Sequence, residues 1–349
     1  MAERELHLWS TVAPMSNGEE EQEETGREQG KDIGENSAEI ISKLPKEKGW
    51  LTEHLYQYEN FWYHPSYGLE GIMSIQQHFK PRSDDILLIT SPKCGTTWLK
   101  ALIFTIMNRT RYDFSAHPLL HSSPHDCVPF LELNLFRFNP IVDLECLPSP
   151  RLFASHIPFT SLPKSVLTST CRIVYTCRNP NDVLVSLWHF MTKLRDKELQ
   201  PFSLQEAFDL FSKGVSPFGP FWDHVLGYWK ASQKFPNQML FLKYEDLKNE
   251  PFVYVKRLAE FLGKPFSIEE EGQGMVHETL KLCSFENMSN LEVNKNGTYR
   301  AGVKNNVFYR QGKVGDWKNH LTREMIEKLD SLITEKFDGS GIFFKISPN

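Results

Sequence analysis

Short runs of apolar and β-branched residues recur along the chain between longer amphipathic stretches. Four of these runs have the length and bounding polar residues of buried strands. They are Ile86–Thr90, Leu152–Ser155, Arg172–Cys177 and Met239–Lys243. Strands of this kind, alternating with helices, are typical of a mostly parallel sheet that is covered on both faces.

Amphipathic helical stretches separate or follow most of these strands. Residues 97–109 place Leu99, Leu102, Ile103 and Ile106 on one face, which is the spacing of a helix that packs on a core. Capping and breaking residues support the other predicted helices. These lie at residues 182–194, 218–233, 252–262 and 322–337.

The alternation of strands and helices predicts a single α/β domain with a central, mostly parallel sheet flanked by helices on both faces. We place this domain at residues 46–349. Residues 1–45 are rich in Glu, Gln and Gly and poor in apolar side chains, so they cannot bury enough surface to offset chain entropy. They are predicted to form a disordered acidic tail.

The overall composition is that of a globular protein: the 349 residues are 40% hydrophobic and 24% charged, with a formal net charge of −5. Residues 1–40 contain eleven acidic and three basic side chains, so the rest of the chain has a net charge of +3. Because that body has no concentrated Lys/Arg stripe, a nucleic-acid partner is not expected.

No apolar run approaches the ~18 residues that span a bilayer, and the opening residues lack a secretory signal. We therefore expect no membrane partner and a cytoplasmic location. The six cysteines form no CxxC pair and no Cys/His cluster. They are interpreted as reduced thiols, and no metal site is predicted.

The residues that follow the four strands are the candidates for chemistry, because ligands of parallel sheets bind beyond the carboxyl ends of the strands. The first strand is followed by the loop SPKCGTTW at residues 91–98. The other three are followed by His156, Arg178 and Tyr244. A random surface would rarely collect a glycine-containing loop, a histidine, an arginine and a tyrosine.

The loop at residues 91–98 joins a predicted strand to a predicted helix, and backbone N–H groups at a helix N-terminus bind anions. It departs from the P-loop pattern because Lys93 precedes Gly95. By spacing alone, a plain strand-to-helix turn and a phosphate-binding loop are both consistent with it. The neighbouring strand ends favour the phosphate site, so the predicted domain is P-loop-like.

Four sequence blocks together resemble the signature of the cytosolic sulfotransferases. They are SPKCGTTW (91–98), CRNPNDVLVS (177–186), YEDL (244–247) and RQGKVGDWK (310–318), in the family order. These enzymes take a sulfonate group from 3′-phosphoadenosine 5′-phosphosulfate (PAPS). The chain looks most like the plant branch, which acts on small hydroxylated metabolites, so a small-molecule acceptor is the implied partner.

The resemblance implies that the loop binds the 5′-phosphosulfate of PAPS. Lys93 would lie beside the oxygen that bridges phosphate and sulfonate, where a preorganised cation stabilises the leaving group. Hydrogen bonds would come from the residues that follow it. The implied loop contacts are Lys93, Cys94, Gly95, Thr96 and Thr97.

The remaining blocks are implied to bind the rest of the donor. Arginine suits the 3′-phosphate because its planar guanidinium matches phosphate oxygens. The residues implied at that phosphate are Arg178, Ser186, Arg310, Gln311 and Gly312. The residues implied around adenine are Trp98, Tyr244 and Phe285.

His156 is implied as the general base that takes the proton from the acceptor hydroxyl, a step suited to imidazole. Lys93 is the second implied catalytic residue. Phe130 and Phe190 are implied to line the acceptor pocket. No metal cofactor is expected, because the strand Arg172–Cys177 ends at an arginine rather than at a Walker-B-type aspartate.

Two departures from the family pattern bear on these expectations. Gln311 stands where the family has a lysine, which removes one cation from the 3′-phosphate site. Arg323 stands at the centre of a dimerisation motif where the family has a valine, so a monomer or a weak dimer is expected.

Three alternatives to a sulfotransferase remain at this point. A nucleotide kinase would need Mg²⁺ and the Gly-Lys-Ser/Thr order, and the sequence lacks the signals for both. A nucleic-acid binder is disfavoured by the charge pattern. A module that binds PAPS, or its desulfated form PAP, without catalysis would retain the donor site, although intact Lys93 and His156 argue for an enzyme.

Overall fold

The computed structural model describes residues 38–138, 143–299 and 302–344. Its first sheet is antiparallel and was not predicted. It contains β1 (Lys46–Lys48), β2 (His54–Tyr58) and β3 (Phe61–Tyr63) in the order β1-β2-β3. Glu59 and Asn60 connect β2 to β3 with positive φ angles of 49° and 68°, as a two-residue hairpin turn requires. The glycine that usually marks such turns is absent from this pair.

The main sheet is parallel and contains the four predicted strands with their predicted bounds. These are β4 (Ile86–Thr90), β5 (Leu152–Ser155), β6 (Arg172–Cys177) and β7 (Met239–Lys243), in the order β5-β4-β6-β7. The register pairs Ile89 with Ser155, Thr90 with Thr176, and Cys177 with Lys243. All four carboxyl ends therefore lie along one edge.

The five predicted helices are present, with shifted ends. The helices of eight residues or more in the described ranges are α1 (Glu70–His78), α2 (Thr96–Asn108), α3 (Pro180–Leu194), α4 (Leu204–Ser212), α5 (Phe221–Lys234), α6 (Pro251–Phe261), α7 (Met275–Leu282) and α8 (Arg323–Phe337). Within these ranges, no helix has the length and apolar character needed to cross a membrane.

Shorter helical segments fill the connections. The α-helical ones are Pro124–Cys127, Phe136–Phe138, Lys164–Thr168, Tyr244–Asn249, Ile268–Gly272, Phe285–Asn290 and Glu292–Lys295. Single turns of 3₁₀ or π geometry occur at Pro65–Leu69, Phe114–Ala116, Pro118–Leu120, Leu131–Leu135, Phe159–Ser161, Asn305–Phe308 and Asp316–Asn319.

The start of α5 differs from the prediction by three residues, because Phe218 belongs to a turn. Its φ is +60°, and its backbone N–H donates to the Trp62 carbonyl at 2.7 Å. The Trp62 N–H in turn donates to the Gly219 carbonyl at 2.8 Å. These two bonds attach the segment before α5 to β3, which the helical pattern alone does not reveal.

Alternate residues of the main sheet point to opposite faces, and each face has its own apolar cluster. Leu87 and Ile89 belong to one cluster, in which α1, α3, α4, α5 and α8 pack. Ile86 and Leu88 belong to the other, with α2, α6 and α7. Helices thus cover both faces, which confirms the predicted α/β architecture.

The packed body starts before residue 46. Residues 38–42 are helical, and Ile41 is buried in the same cluster as Leu87. Residues 38–45 were placed in the predicted tail with the Glu-, Gln- and Gly-rich residues that precede them, but Ile41 is buried in this cluster and Leu44 packs against it. The rest of that predicted tail, residues 1–37, lies outside the described residues.

A fully buried ion pair fixes the amino ends of β4 and β5. The Arg151 guanidinium donates to the two Asp85 carboxylate oxygens at 2.8 and 2.6 Å, and neither side chain is exposed. The same guanidinium also donates to the carbonyls of Lys80 and Leu144. The pair therefore joins the two strands and the segments that precede them.

Replacing Arg151 by Met leaves the Asp85 carboxylate buried without its partner. We expect the free energy of unfolding, measured by urea titration, to fall by about 3–5 kcal/mol. Arg323→Met is the matched control, because the Arg323 side chain is 93% exposed in its pair with Glu327. Equal urea midpoints for the two variants would contradict a structural role of the buried pair.

Candidate active site

A cavity of about 630 Å³ lies at the carboxyl edge of the main sheet. Every residue predicted for the site lines it except Cys94. These lining residues are Lys93, Gly95, Thr96, Thr97, Trp98, Phe130, His156, Arg178, Ser186, Phe190, Tyr244, Phe285, Arg310, Gln311 and Gly312. The fold thus brings together residues that are up to 219 positions apart in the printed chain, from Lys93 to Gly312.

The loop between β4 and α2 is shaped by two residues in the left-handed region. Lys93 has φ of +68° and Gly95 has φ of +95°. A side chain at Gly95 would have its Cβ 2.7 Å from the Tyr244 ring, so only glycine fits there. Cys94 lies between them with its thiol in the core, where burial raises its pKa well above the usual range. Its side chain therefore does not reach the cavity.

Lys93 lies among other cations at this site. Its Nζ atom is 4.1 Å from the centroid of the Phe190 ring. Burial, together with the charges of Arg178 and Arg310, lowers the pKa of Lys93 to about 7. An anion bound here would favour the charged form of the lysine. The pKa of Lys93 should therefore rise when an anion binds.

Arg178 and Asp182 hold the C-terminal loop against α3. The Arg178 guanidinium donates to the Lys313 carbonyl at 2.8 Å. The Asp182 carboxylate, 3.4 Å from that guanidinium, accepts from the N–H groups of Gly315 at 2.8 Å and Trp317 at 3.3 Å. This clamp explains how residues near 310 reach a site formed by β4 and β6.

Arg310 is oriented by an ion pair within the same loop. Its guanidinium lies 2.5 Å from the Asp316 carboxylate, which is also 3.4 Å from the His320 imidazole. The buried Nε atoms of Arg178 and Arg310 have no hydrogen-bond partner among the described residues. Both guanidinium groups thus retain a donor for an anionic ligand.

Aromatic side chains form a slot beside these cations. The rings of Trp98 and Tyr244 meet edge to face with centroids 5.7 Å apart. Gly312 lies so close to Phe285 that an added Cβ would be 2.4 Å from the ring, and its carbonyl accepts from the Tyr244 hydroxyl at 3.3 Å. Planar rings on two sides suit a flat heterocycle such as adenine.

The hydrogen bonds of His156 select its tautomer. Nδ1 lies 2.7 Å from the carbonyl oxygen of Thr90, which can only accept, so Nδ1 carries the proton. Burial lowers the pKa of His156 to about 3, which keeps the ring neutral. The unprotonated Nε2 is therefore the free acceptor of the imidazole in this cavity, as a general base requires.

Two residues that support His156 were missed by the sequence analysis. The backbone N–H of His156 donates to the buried Glu132 carboxylate at 2.7 Å, and Ser155 donates to the same group at 2.8 Å. Burial raises the pKa of Glu132 to about 7. Thr90 supplies the carbonyl described above. A glutamate directly after the apolar run CVPFL was the available signal for Glu132.

Phenylalanines surround the imidazole and the adjoining wall of the cavity. The rings of Phe130 and Phe218 have centroids 4.8 and 5.3 Å from that of His156. Phe308 packs on Phe190 at 5.8 Å. The predicted wall residues Phe130 and Phe190 thus lie in the cavity, whereas Phe218 and Phe308 were missed because each lies outside the recognised sequence blocks.

The residues present fit a doubly phosphorylated nucleotide. Lys93, Arg178 and Arg310 provide three cations from separate segments, two of them with an unused Nε donor. The glycines at 95 and 312 let the backbone lie against the rings of Tyr244 and Phe285, where a Cβ would collide. Three cations beside an aromatic slot suit a ligand that carries phosphates at two positions and a flat heterocycle.

Comparison with known sequences gives one consistent family. The family profile described as "Sulfotransferase domain" matches residues 83–341. Cytosolic sulfotransferase 12 of Arabidopsis thaliana is 47% identical over 316 residues, covering 90% of this chain and 95% of that protein. Flavonol 4′-sulfotransferase of Flaveria chlorifolia is 46% identical over 318 residues, covering 89% of this chain and 98% of that protein.

A solved structure agrees with these sequence matches. A mouse sulfotransferase complexed with PAP is similar to this chain with a TM-score of 0.63 and 26% sequence identity. The match covers 82% of this chain and 95% of the mouse chain. It supports the same fold for the sheet and the helices around the cavity.

Gly312→Ala tests the contact between the C-terminal loop and the aromatic slot. The new Cβ would collide with Phe285, so we expect PAP affinity, measured by calorimetry, to fall about tenfold. Gly315→Ala is the matched control, because Gly315 also has a left-handed φ, of +85°, but has open space around it. A loss of equal size in both variants would assign the effect to the backbone alone.

Proposed function

This chain belongs to the sulfotransferase family, and we propose that it transfers a sulfonate group from PAPS to a hydroxyl group of a small plant-type metabolite. The observation that carries this proposal is the neutral His156 imidazole. Its Nδ1 proton is held by the Thr90 carbonyl, and its free Nε2 belongs to the same cavity as Lys93 and the two arginines.

In the proposed reaction, Nε2 of His156 accepts the proton of the acceptor hydroxyl. The acceptor oxygen forms a bond to sulfur as the bond between sulfur and the phosphate oxygen breaks. The electron pair of the broken bond stays on that phosphate, whose growing negative charge is stabilised by the ammonium group of Lys93. The products are a sulfate ester and PAP, and the transferred proton remains on His156 until solvent removes it.

We assign the other residues binding roles that are consistent with their places in the cavity. Arg178 and Arg310, with Ser186 on α3, bind the 3′-phosphate, while Gly95, Thr96 and Thr97 donate hydrogen bonds to the 5′-phosphosulfate. The first turn of α2 adds its free N–H groups to the second site. The donor is thereby bound at both phosphates.

The aromatic slot completes the donor site. Trp98, Tyr244 and Phe285 surround the adenine, and Gly312 lets the backbone of the C-terminal loop lie directly against the Phe285 ring. Gln311 is exposed and uncharged, so Arg178 and Arg310 supply the positive charge that balances the 3′-phosphate.

The acceptor site is the apolar part of the cavity. Phe130, Phe190 and Phe218 would contact the acceptor, and such walls suit a flat, mostly apolar ring system that carries a hydroxyl group. One relative is named for a flavonol, which has these properties. Because Arabidopsis relatives are named cytosolic, we expect the same location for this protein.

The experiment that tests the proposal uses the full chain with PAPS and a panel of hydroxylated plant metabolites, without added metal. Mass spectrometry should show the gain of one sulfonate group on at least one acceptor, with release of PAP. Binding of PAP without transfer to any acceptor would instead favour a nucleotide-sensing module.

His156→Ala removes the proposed base. We expect turnover to fall by about 10²- to 10⁴-fold, as is typical of lost general base catalysis. The dissociation constant of PAP should stay within about twofold, because the donor contacts lie on other residues. His121→Ala, at an exposed histidine, is the control. Turnover near the original rate in His156→Ala would overturn the assignment of the base.

The pH dependence of PAP binding tests Lys93. Its pKa is about 7 in the free protein and higher with the anion bound, so binding takes up a proton above that pH. Between pH 7.5 and 9.5 the affinity should fall by up to about tenfold per pH unit. Calorimetry in two buffers of different ionisation enthalpy measures the proton uptake directly. Lys93→Arg, which stays charged, should flatten the profile, and an unchanged profile would exclude Lys93 as the titrating group.

A further inference from the structure

Two buried polar residues behind the phosphate loop have no role in the mechanism above. Lys100 lies on α2 and is fully buried, and His125 lies in the segment Pro124–Cys127 with 3% of its surface exposed. His125 contacts Thr97, one of the residues proposed to bind the 5′-phosphosulfate, and Lys100 follows Thr97 on the same helix. Burying a lysine and a histidine costs free energy unless both side chains are hydrogen-bonded.

The three residues form one continuous chain of hydrogen bonds. Nζ of Lys100 is 3.2 Å from Nδ1 of His125, and Nε2 of His125 is 3.0 Å from Oγ1 of Thr97. Both ring nitrogens are thus occupied within the protein. Thr97 and His125 line the cavity, whereas Lys100 lies behind them.

The imidazole is held in place by its neighbours. Its ring stacks on Phe130 with centroids 5.8 Å apart and an angle of 22°, and it packs against Phe308 at 4.1 Å. Nζ of Lys100 also lies over the face of the Phe130 ring, 3.5 Å from its centroid. The ring therefore has little freedom to turn away from either hydrogen-bond partner.

The charge state of each group determines the direction of the hydrogen bonds. Burial and the nearby charges of Lys100 and Lys93 hold the pKa of His125 well below its usual range, so the imidazole is neutral and has a single N–H. Burial holds the pKa of Lys100 well below its usual range, although the carboxylates of Glu132 and Asp126 favour its ammonium form. The ammonium and amine forms both carry N–H donors for Nδ1, and the position of Nζ over the Phe130 face favours the cation.

We propose that Lys100 and His125 form a hydrogen-bond relay that fixes Thr97 as a donor toward the anion bound by the loop. Lys100 donates to Nδ1, so the proton of His125 is on Nε2. That N–H donates to Oγ1 of Thr97, and the hydroxyl proton of Thr97 is left for the ligand. Lys100 and His125 are positioning residues, because they act through Thr97, and this role rests on the proposed function of the loop.

The relay would benefit binding because a hydroxyl group can otherwise rotate or accept. A donor that is oriented before the ligand arrives needs no reorganisation when negative charge is present. A chain of hydrogen bonds in a buried setting also polarises each of its members. The relay thus connects the anion site, through His125 at the cavity wall, to Lys100 behind it.

The proton position on His125 can be observed directly. In the full chain labelled with ¹⁵N-histidine, the couplings of the ring carbon-bound protons to the two nitrogens identify the protonated nitrogen, and His125→Gln assigns the signal. We expect the proton on Nε2 in the wild type and a change of tautomer population in Lys100→Met. A proton on Nδ1 of the wild type would overturn the relay, whether or not the protein binds PAP.

The functional consequence is tested with calorimetry and kinetics. Lys100→Met should weaken PAP binding and raise KM for PAPS about fivefold, the effect of one hydrogen bond, with kcat changed less than about twofold. Thr105→Val is the matched control. Thr105 lies on the same helix as Lys100, and the variant removes its buried hydrogen bond with Cys283. That variant should bind PAP like the wild type.

A double-variant cycle separates a relay from general packing. In His125→Gln the amide N–H can donate to Thr97 without help from Lys100, so adding Lys100→Met to that variant should cost less than about twofold. An equal cost of Lys100→Met in both backgrounds would contradict the relay. If the wild type does not bind PAP at all, the proposed function fails, and the tautomer measurement still decides the relay.

Discussion

The register of four parallel strands is the constraint on which the site depends. It aligns Thr90 with Thr176 and Cys177 with Lys243, so each strand delivers its following residue to one edge. A shift of one residue would turn each strand's side chains to the opposite face. The buried pair of Asp85 and Arg151 at the amino ends joins β4 to β5 and helps to hold this register.

Backbone groups at that edge, more than side chains, prepare the chemistry. The Thr90 carbonyl determines which nitrogen of His156 is basic, and positive φ angles at Lys93 and Gly95 shape the loop that presents the lysine. A backbone carbonyl only accepts hydrogen bonds, and this one belongs to the last residue of β4. The proposed base is therefore oriented by a strand of the central sheet, which favours preorganised catalysis.

The electrostatics of the cavity are balanced for an anionic ligand. Burial lowers the pKa of Lys93, and the neighbouring charges of Arg178 and Arg310 lower it further. Asp182 and Asp316 offset part of this positive charge by pairing with the arginines while they also hold the C-terminal loop. The net charge of −5 for the whole chain says nothing of this local arrangement.

Local patterns in the sequence determined the four central strands, the alternation with helices and the residues of the recognised blocks. Those features depend on neighbours within a few positions, so periodicity and motif spacing reveal them. The hairpin at Glu59 and Asn60 was missed because its turn lacks the usual glycine, and the docking of Ile41 was missed because it depends on a distant core.

Only the tertiary structure decided how the site works. Glu132 beneath His156, Phe218 beside it, and Lys100 behind Thr97 belong to separate segments, and the sequence does not show which residues they contact. The tautomer of His156 likewise depends on a carbonyl 66 residues away. Proton positions and pKa values arise from through-space contacts and burial, which exist only once the chain has folded.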